Sequence, residues 1–135
     1  MSYLLDTNSF VHHLRRGPKS NVTVKLSAAP PGSIYLCSIV VAELIYGAYH
    51  SGPSHQAANL AMVANLQSQF VSLTFDDRAA EEYGKLRAYL SRIGQLIGPN
   101  DLLIASIALA NGHTLVTHNT VEFSRVPGLP IEDWQ

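Results

Sequence analysis

Apolar and polar positions fall in blocks along this chain, and the blocks predict an ordered series of elements. Tyr3-Leu4-Leu5 is a short apolar run cut off by Asp6-Thr7-Asn8, residues that favour turns and helix starts. A buried strand feeding a helix through Phe10 to Leu14 is therefore expected. Gly17-Pro18 breaks that helix, Asn21 to Ala29 reads as weakly helical, and Pro30-Pro31-Gly32 ends it. Ile34-Tyr35-Leu36-Cys37 predicts a second buried strand, with Ser38 placed to cap the next helix. Ile39 to Tyr49 is apolar almost all round, which predicts a helix in the interior, and Glu43 is its only charge.

Ser51-Gly52-Pro53 closes that segment, and Ser54 to Gln69 mixes Ala, Leu, Met and Gln as a half-exposed helix does. Val71 to Phe75 predicts a third short strand. Beyond Asp76-Asp77, Ala79, Tyr83, Leu86, Leu90 and Ile93 recur at spacings of 4, 3, 4 and 3, the stripe of a long amphipathic helix. Gly98-Pro99-Asn100 separates it from Asp101 to Ala110, which carries no charge after its first residue and reads as buried. Gly112 ends that helix, Thr114 to Thr117 predicts a fourth strand, and Pro127-Gly128-Leu129-Pro130 leads to a short edge strand at Ile131.

Apolar strands separated by helices predict an α/β fold with a mainly parallel sheet of four to five strands, covered on both faces, as one domain over residues 1–135. Such sheets bind ligands beyond the carboxyl ends of their strands, where strand order reverses. Asp6, the Ser38 to Glu43 segment and His118-Asn119 all fall at those ends. If strands one and four are neighbours, Asp6 and Asn119 meet.

Composition narrows the chemistry. Lys plus Arg total 9 against 10 for Asp plus Glu, a net charge of -1, so no global field draws the molecule to nucleic acid or membrane. Any polyanion must be held locally. The single cysteine, Cys37, excludes an internal disulfide and a cysteine zinc cage. The start has no basic leader before an apolar segment, and no window is long and apolar enough to span a bilayer. A cytoplasmic protein is expected.

With ten carboxylates in the chain, Asp6, Glu43 and Asp101 stand out because they sit in its most apolar stretches, where an unpaired charge costs several kcal/mol. On a helix Glu43 is surrounded by Ile39, Val40, Tyr46 and Gly47, which predicts no solvated face for it. The basic residues lie mostly elsewhere, so one shared cation explains three acids better than three buried ion pairs. Asp6 capping a helix, or Asp101 complementing a helix dipole, remains open for each residue alone. Carboxylates without His or Cys suit a hard, oxygen-seeking ion, Mg²⁺ or Mn²⁺, which activates water for phosphodiester attack.

Other chemistries lack their parts. His12-His13 have no zinc-site spacing, no serine sits in a nucleophile elbow, and the isolated glycines make no phosphate loop. A dehalogenase-like phosphatase needs a second Asp where Asn8 stands, and a receiver domain needs an adjacent acidic pair. Arg78, Lys85 and Arg92 recur every 7 residues, a basic ridge or simply a solvated face, that a nuclease would use to follow a phosphate backbone.

LLDTN at Leu4 to Asn8, SIVVAELIYG at Ser38 to Gly47, IGPNDLLIA at Ile97 to Ala105 and LVTHNTVEFSRVPGL at Leu115 to Leu129 resemble the PIN-domain toxins of VapC type, over Tyr3 to Trp134. The resemblance implies a PIN-like three-layer α/β/α sandwich, a metal-dependent endoribonuclease, a homodimer and a cognate VapB-like antitoxin. The apolar helix Ser54 to Gln69 offers dimer surface. The antitoxin's C-terminal segment would lie over the crevice, a basic side chain among the carboxylates.

The family's acidic site falls on Asp6, Glu43 and Asp101, the residues the burial argument had singled out. Its fourth position falls on Asn119, which offers a neutral oxygen only, and Glu122 can supply the missing carboxylate. Thr7 and Asn8 are expected to hold Asp6 and Asn119 by hydrogen bonds, with Thr117 in a similar role. Another PIN nuclease of RNA processing, or a PIN-fold binding module weakened by Asn119, are the alternatives.

Overall fold

The computed structural model describes residues 1–135 and contains five strands and seven α-helices. In chain order these are β1 (Tyr3–Leu5), α1 (Thr7–Arg16), α2 (Asn21–Ala28), β2 (Ile34–Cys37), α3 (Ser38–His50) and α4 (Pro53–Gln69). The remainder are β3 (Val71–Leu73), α5 (Asp77–Arg92), α6 (Pro99–Asn111), β4 (Thr114–Val116), α7 (Thr120–Phe123) and β5 (Ile131–Glu132), and a 3₁₀ turn at Gly17–Lys19 joins α1 to α2.

All strand pairings are parallel, in the order β3-β2-β1-β4-β5. The chain builds outward from β1 on one side and then crosses to build on the other. Right-handed crossovers therefore put α1 to α4 on one face and α5 and α6 on the other, the three-layer arrangement expected. The direction of building reverses between β1 and β4, where Leu5 is in register with Val116. That switch point fixes the crevice.

Leu4, Leu5, Leu36, Leu115 and Val116 are fully buried, because the central strands are covered on both faces. They belong to one continuous cluster of 27 buried side chains. The α6 helix is buried through Leu102 and from Ile104 to Ala108, as its uncharged sequence requires.

Four expectations need correction. Cys37, not Ser38, occupies the N-cap of α3, without a side-chain cap bond, and Ser38 is already helical. The same helix is not enclosed: Tyr46 and Tyr49 are 66 % and 59 % exposed, because α4 and the sheet cover only one side of it. The stripe on α5 stops at Leu90, since Gly94 takes a left-handed φ of 67° and its N–H and that of Gln95 close the helix on Ser91 and Leu90. Ile93 is thus left 48 % exposed. The third strand ends at Leu73 and is a sheet edge, with Val71 exposed, and the short α7 was not anticipated. No helix is long and apolar enough to cross a membrane.

Candidate functional site

Asp6 follows directly on β1 and is 5 % exposed. Its backbone N–H donates to Val116 O at 3.0 Å, extending the β1–β4 ladder by one step. The carboxylate caps α1 by accepting from the Ser9 N–H at Oδ1 (2.9 Å), and accepts from the Thr117 hydroxyl at Oδ2 (2.6 Å). Capping and site placement are thus one geometry, since the cap holds the carboxylate at the switch point. Ser9, which the sequence did not single out, also donates its hydroxyl to Val116 O at 3.2 Å and ties α1 to β4. A small polar residue three places after the N-cap was the available signal.

Glu43 projects from the second turn of α3, half-buried, and accepts from the Thr7 hydroxyl at 3.0 Å. Thr7 therefore positions Glu43, while Asn8, one residue further round α1, is exposed and outside these hydrogen bonds. Asp101 lies in the first turn of α6 and shares with Glu43 a crevice of about 300 Å³ lined also by Gly98, Pro99 and Asn100. Glu122, on α7, accepts from the Gly98 N–H at 3.2 Å and from the Asn119 side-chain amide. The Asn119 N–H in turn donates to Thr117 Oγ1 at 2.9 Å, so Asp6, Thr117, Asn119 and Glu122 form one hydrogen-bonded chain.

These four carboxylates have no counter-charge, as the ion pairs of the molecule lie elsewhere. Burial pushes the Asp101 carboxyl up to about 6, helped by the charges of Glu122, Asp6 and Glu43. A helix N-terminus favours a carboxylate by only about 0.3–1 kcal/mol, and here burial and repulsion outweigh it. As the side chains stand, no three His, Cys, Asp or Glu groups close tightly enough to enclose an ion. The donor chemistry is nonetheless that of a hard divalent cation: carboxylate oxygens in excess, one amide oxygen, and no nearby thiolate or ammonium.

The remaining residues lie outside this cluster. Burial pushes the Cys37 thiol up to about 11, so it is not a nucleophile. Arg78 bonds Asn111 at the far end of α6 from Asp101, about 15 Å along the helix by its rise. Arg78 also pairs with Asp76, Lys85 with Glu81, and Arg92 with the Ala88 carbonyl. Arg78 is thus remote from the carboxylates, and all three ridge residues engage their own neighbours.

Comparison with known proteins supplies the last observation. The PIN domain family matches residues 3–129. The chain is 40 % identical to Ribonuclease VapC2 of Rickettsia felis and 37 % identical to a tRNA(fMet)-specific endonuclease VapC of Shigella flexneri, covering 99 % of this chain and 98 % of each relative. Among solved structures it resembles a chain of the VapBC2 structure from Rickettsia felis bound to a promoter DNA fragment, with a TM-score of 0.89, 36 % identity and full coverage of both chains.

Proposed function

The chain belongs to the PIN-domain family, among its VapC ribonucleases, and from that premise we propose that it is an endoribonuclease toxin that hydrolyses RNA phosphodiester bonds with Mg²⁺ or Mn²⁺. Members of this family generally depend on divalent metal. The observation that carries the reading is the uncompensated set of carboxylates at the switch point, with the Asp101 carboxyl raised by burial and by its acidic neighbours.

Asp6, Glu43 and Asp101 would hold the ion, with Asn119 or Glu122 completing the set. A bound divalent cation supplies charge neutralisation at the scissile phosphate and lowers the pKa of a coordinated water. The protein's own part is positioning and proton transfer. Both Asp6 oxygens are fixed by Ser9 and Thr117, so its orientation is set before substrate arrives. Thr7 engages one Glu43 oxygen, and Oε2 remains to accept a proton from attacking water. Asn119 lends an amide oxygen but no charge, which favours one tightly held ion over two.

The partner we propose is a VapB-like antitoxin, in keeping with the VapBC assembly of the structural relative. A basic side chain from it among the carboxylates would compete directly with metal. The toxin is further proposed to be a cytoplasmic homodimer, with α4 as dimer surface: only Val63 and Leu66 of that helix are buried and Met62 is 45 % exposed.

Incubating antitoxin-free protein with total RNA in Mg²⁺ or Mn²⁺ tests the reading, with chelator and Asp6→Asn as controls and the new RNA ends mapped by sequencing. Discrete cuts lost in both controls are expected. Folded, partner-free protein that cuts no RNA with either metal would overturn it.

A further inference from the structure

We propose that the groove between the later turns of α1 and the His118-Asn119 loop holds the phosphates of single-stranded RNA flanking the cut, with Arg15 and Arg16 as positioning residues. The inference rests on the nuclease reading above and adds where the strand lies.

The groove encloses about 500 Å³, and the eight residues that line it include Asn8, His12, Arg15, Arg16, His118 and Asn119, with Val11 the one hydrophobic residue among them. It adjoins the carboxylate cluster at Asn119, which bonds Glu122. Asn119 hydrogen-bonds Thr117, whose hydroxyl holds Asp6. Arg15 lies two turns beyond Thr7 on α1, about 12 Å by helix rise, and also lines the cleft that contains Thr7 and Glu43. That separation suits neighbouring phosphates rather than the scissile one.

Its cations are free ones. Arg78 and Lys85 are in ion pairs, Arg87, Arg92 and Arg125 donate to nearby oxygens, and Lys25 sits over the Trp134 ring. Arg15, Arg16 and Lys19 are exposed and have neither ion pair nor hydrogen bond, and of these three Arg15 and Arg16 line the groove. A helix C-terminus attracts cations, but the carbonyl of His13 is already taken by the Gly17 N–H, and the dipole does not require two guanidiniums beside one groove. An acidic crevice repels a polyanion, and a chain of net charge -1 has no general field to offset that repulsion. Local cations next to the crevice are what the chemistry needs.

Two imidazoles complete the groove. His12 Nδ1 is 2.7 Å from Ser20 Oγ, and His118 Nδ1 is 2.9 Å from Asp133 Oδ2. Each ring is anchored by one nitrogen and keeps a face and the other nitrogen for an unstacked base. Single-stranded RNA offers such bases; a duplex does not.

The test measures binding of a short fluorescein-labelled single-stranded RNA by anisotropy across a salt series, on an Asp6→Asn background that suspends cutting. Arg15→Gln with Arg16→Gln should weaken binding roughly tenfold and flatten the slope of log affinity against log salt by about 1.4, near 0.7 for each lost phosphate contact. Arg78→Gln with Lys85→Gln should change neither. With Asp6 restored, the Arg15/Arg16 variant should show raised KM and retained kcat, an unchanged melting temperature, and partial rescue by lysine. Unaltered affinity and slope, or an equal loss in the α5 control, would overturn the groove while leaving the nuclease reading intact. If no variant binds RNA, the nuclease reading falls and the groove with it.

Discussion

The hydroxyl of Thr117, one residue beyond β4, donates to Asp6 Oδ2 at 2.6 Å and so joins the ends of the two strands between which the sheet changes direction. It also accepts from the Asn119 N–H, and both Asp6 and Thr117 are buried. One side chain therefore orients the carboxylate and the loop that carries Asn119. Thr117→Val keeps the shape but leaves a buried carboxylate oxygen without its donor, at about 1–3 kcal/mol. Urea denaturation should show that loss, RNA cleavage should fall with it, and Thr117→Ser should restore most of both. A valine variant of wild-type stability would mean that the bond contributes nothing.

Thr7 offers the contrasting case. Its hydroxyl bonds Glu43 at 3.0 Å in a partly exposed setting, where water can replace a lost donor. Thr7→Val should leave stability within about 0.5 kcal/mol of wild type. Metal affinity or cleavage rate should drop about 10- to 100-fold, because Glu43 loses its orientation. Calorimetric metal titration alongside RNA cleavage separates the two effects. Unchanged affinity and rate together would show that Glu43 needs no support from α1.

Asp101 makes a prediction with a defined sign. Its folded pKa lies above the ordinary 3.8, at about 6. The folded state therefore binds the proton more tightly than the unfolded chain, an advantage that is complete below about 3.8 and lost as pH rises through about 6. At pH above that window the ionised group destabilises the metal-free protein, by about 1–2 kcal/mol once solvent screening of a half-buried carboxyl is allowed for. Asp101→Asn should then melt higher than wild type in chelator at alkaline pH, with the difference vanishing in acid. Saturating Mn²⁺ should stabilise wild type and narrow the gap, since bound cation offsets the repulsion. A lower melting point for the variant in chelator at alkaline pH would contradict the repulsive site.

The order of strands and helices was legible in the sequence because each element has its own period and its own punctuation. Apolar runs bounded by Asp6 or by Pro30-Pro31-Gly32, and the stripe from Ala79 to Leu90, are local properties. So is the oddity of a charge at Asp6, Glu43 or Asp101 amid apolar neighbours, which marked the site before any geometry was known. Exposure of α3 was not legible. Tyr46 and Tyr49 are apolar enough for an interior, and only the limited reach of α4 leaves them in solvent.

The partners of each side chain were decided by tertiary structure. Thr7 follows Asp6 in the chain yet serves Glu43, because α3 passes beside the first turn of α1. The arginines tell the same story: the regular spacing of Arg78, Lys85 and Arg92 was visible along the chain, whereas the freedom of Arg15 and Arg16 depends on what packs near them. Sequence by itself determined the elements and the misplaced acids, since local periodicity and the cost of burying charge act within a few residues. Only the tertiary structure decided which acid, hydroxyl and cation meet, because residues 6, 43, 101 and 117 approach one another through the strand order of the sheet.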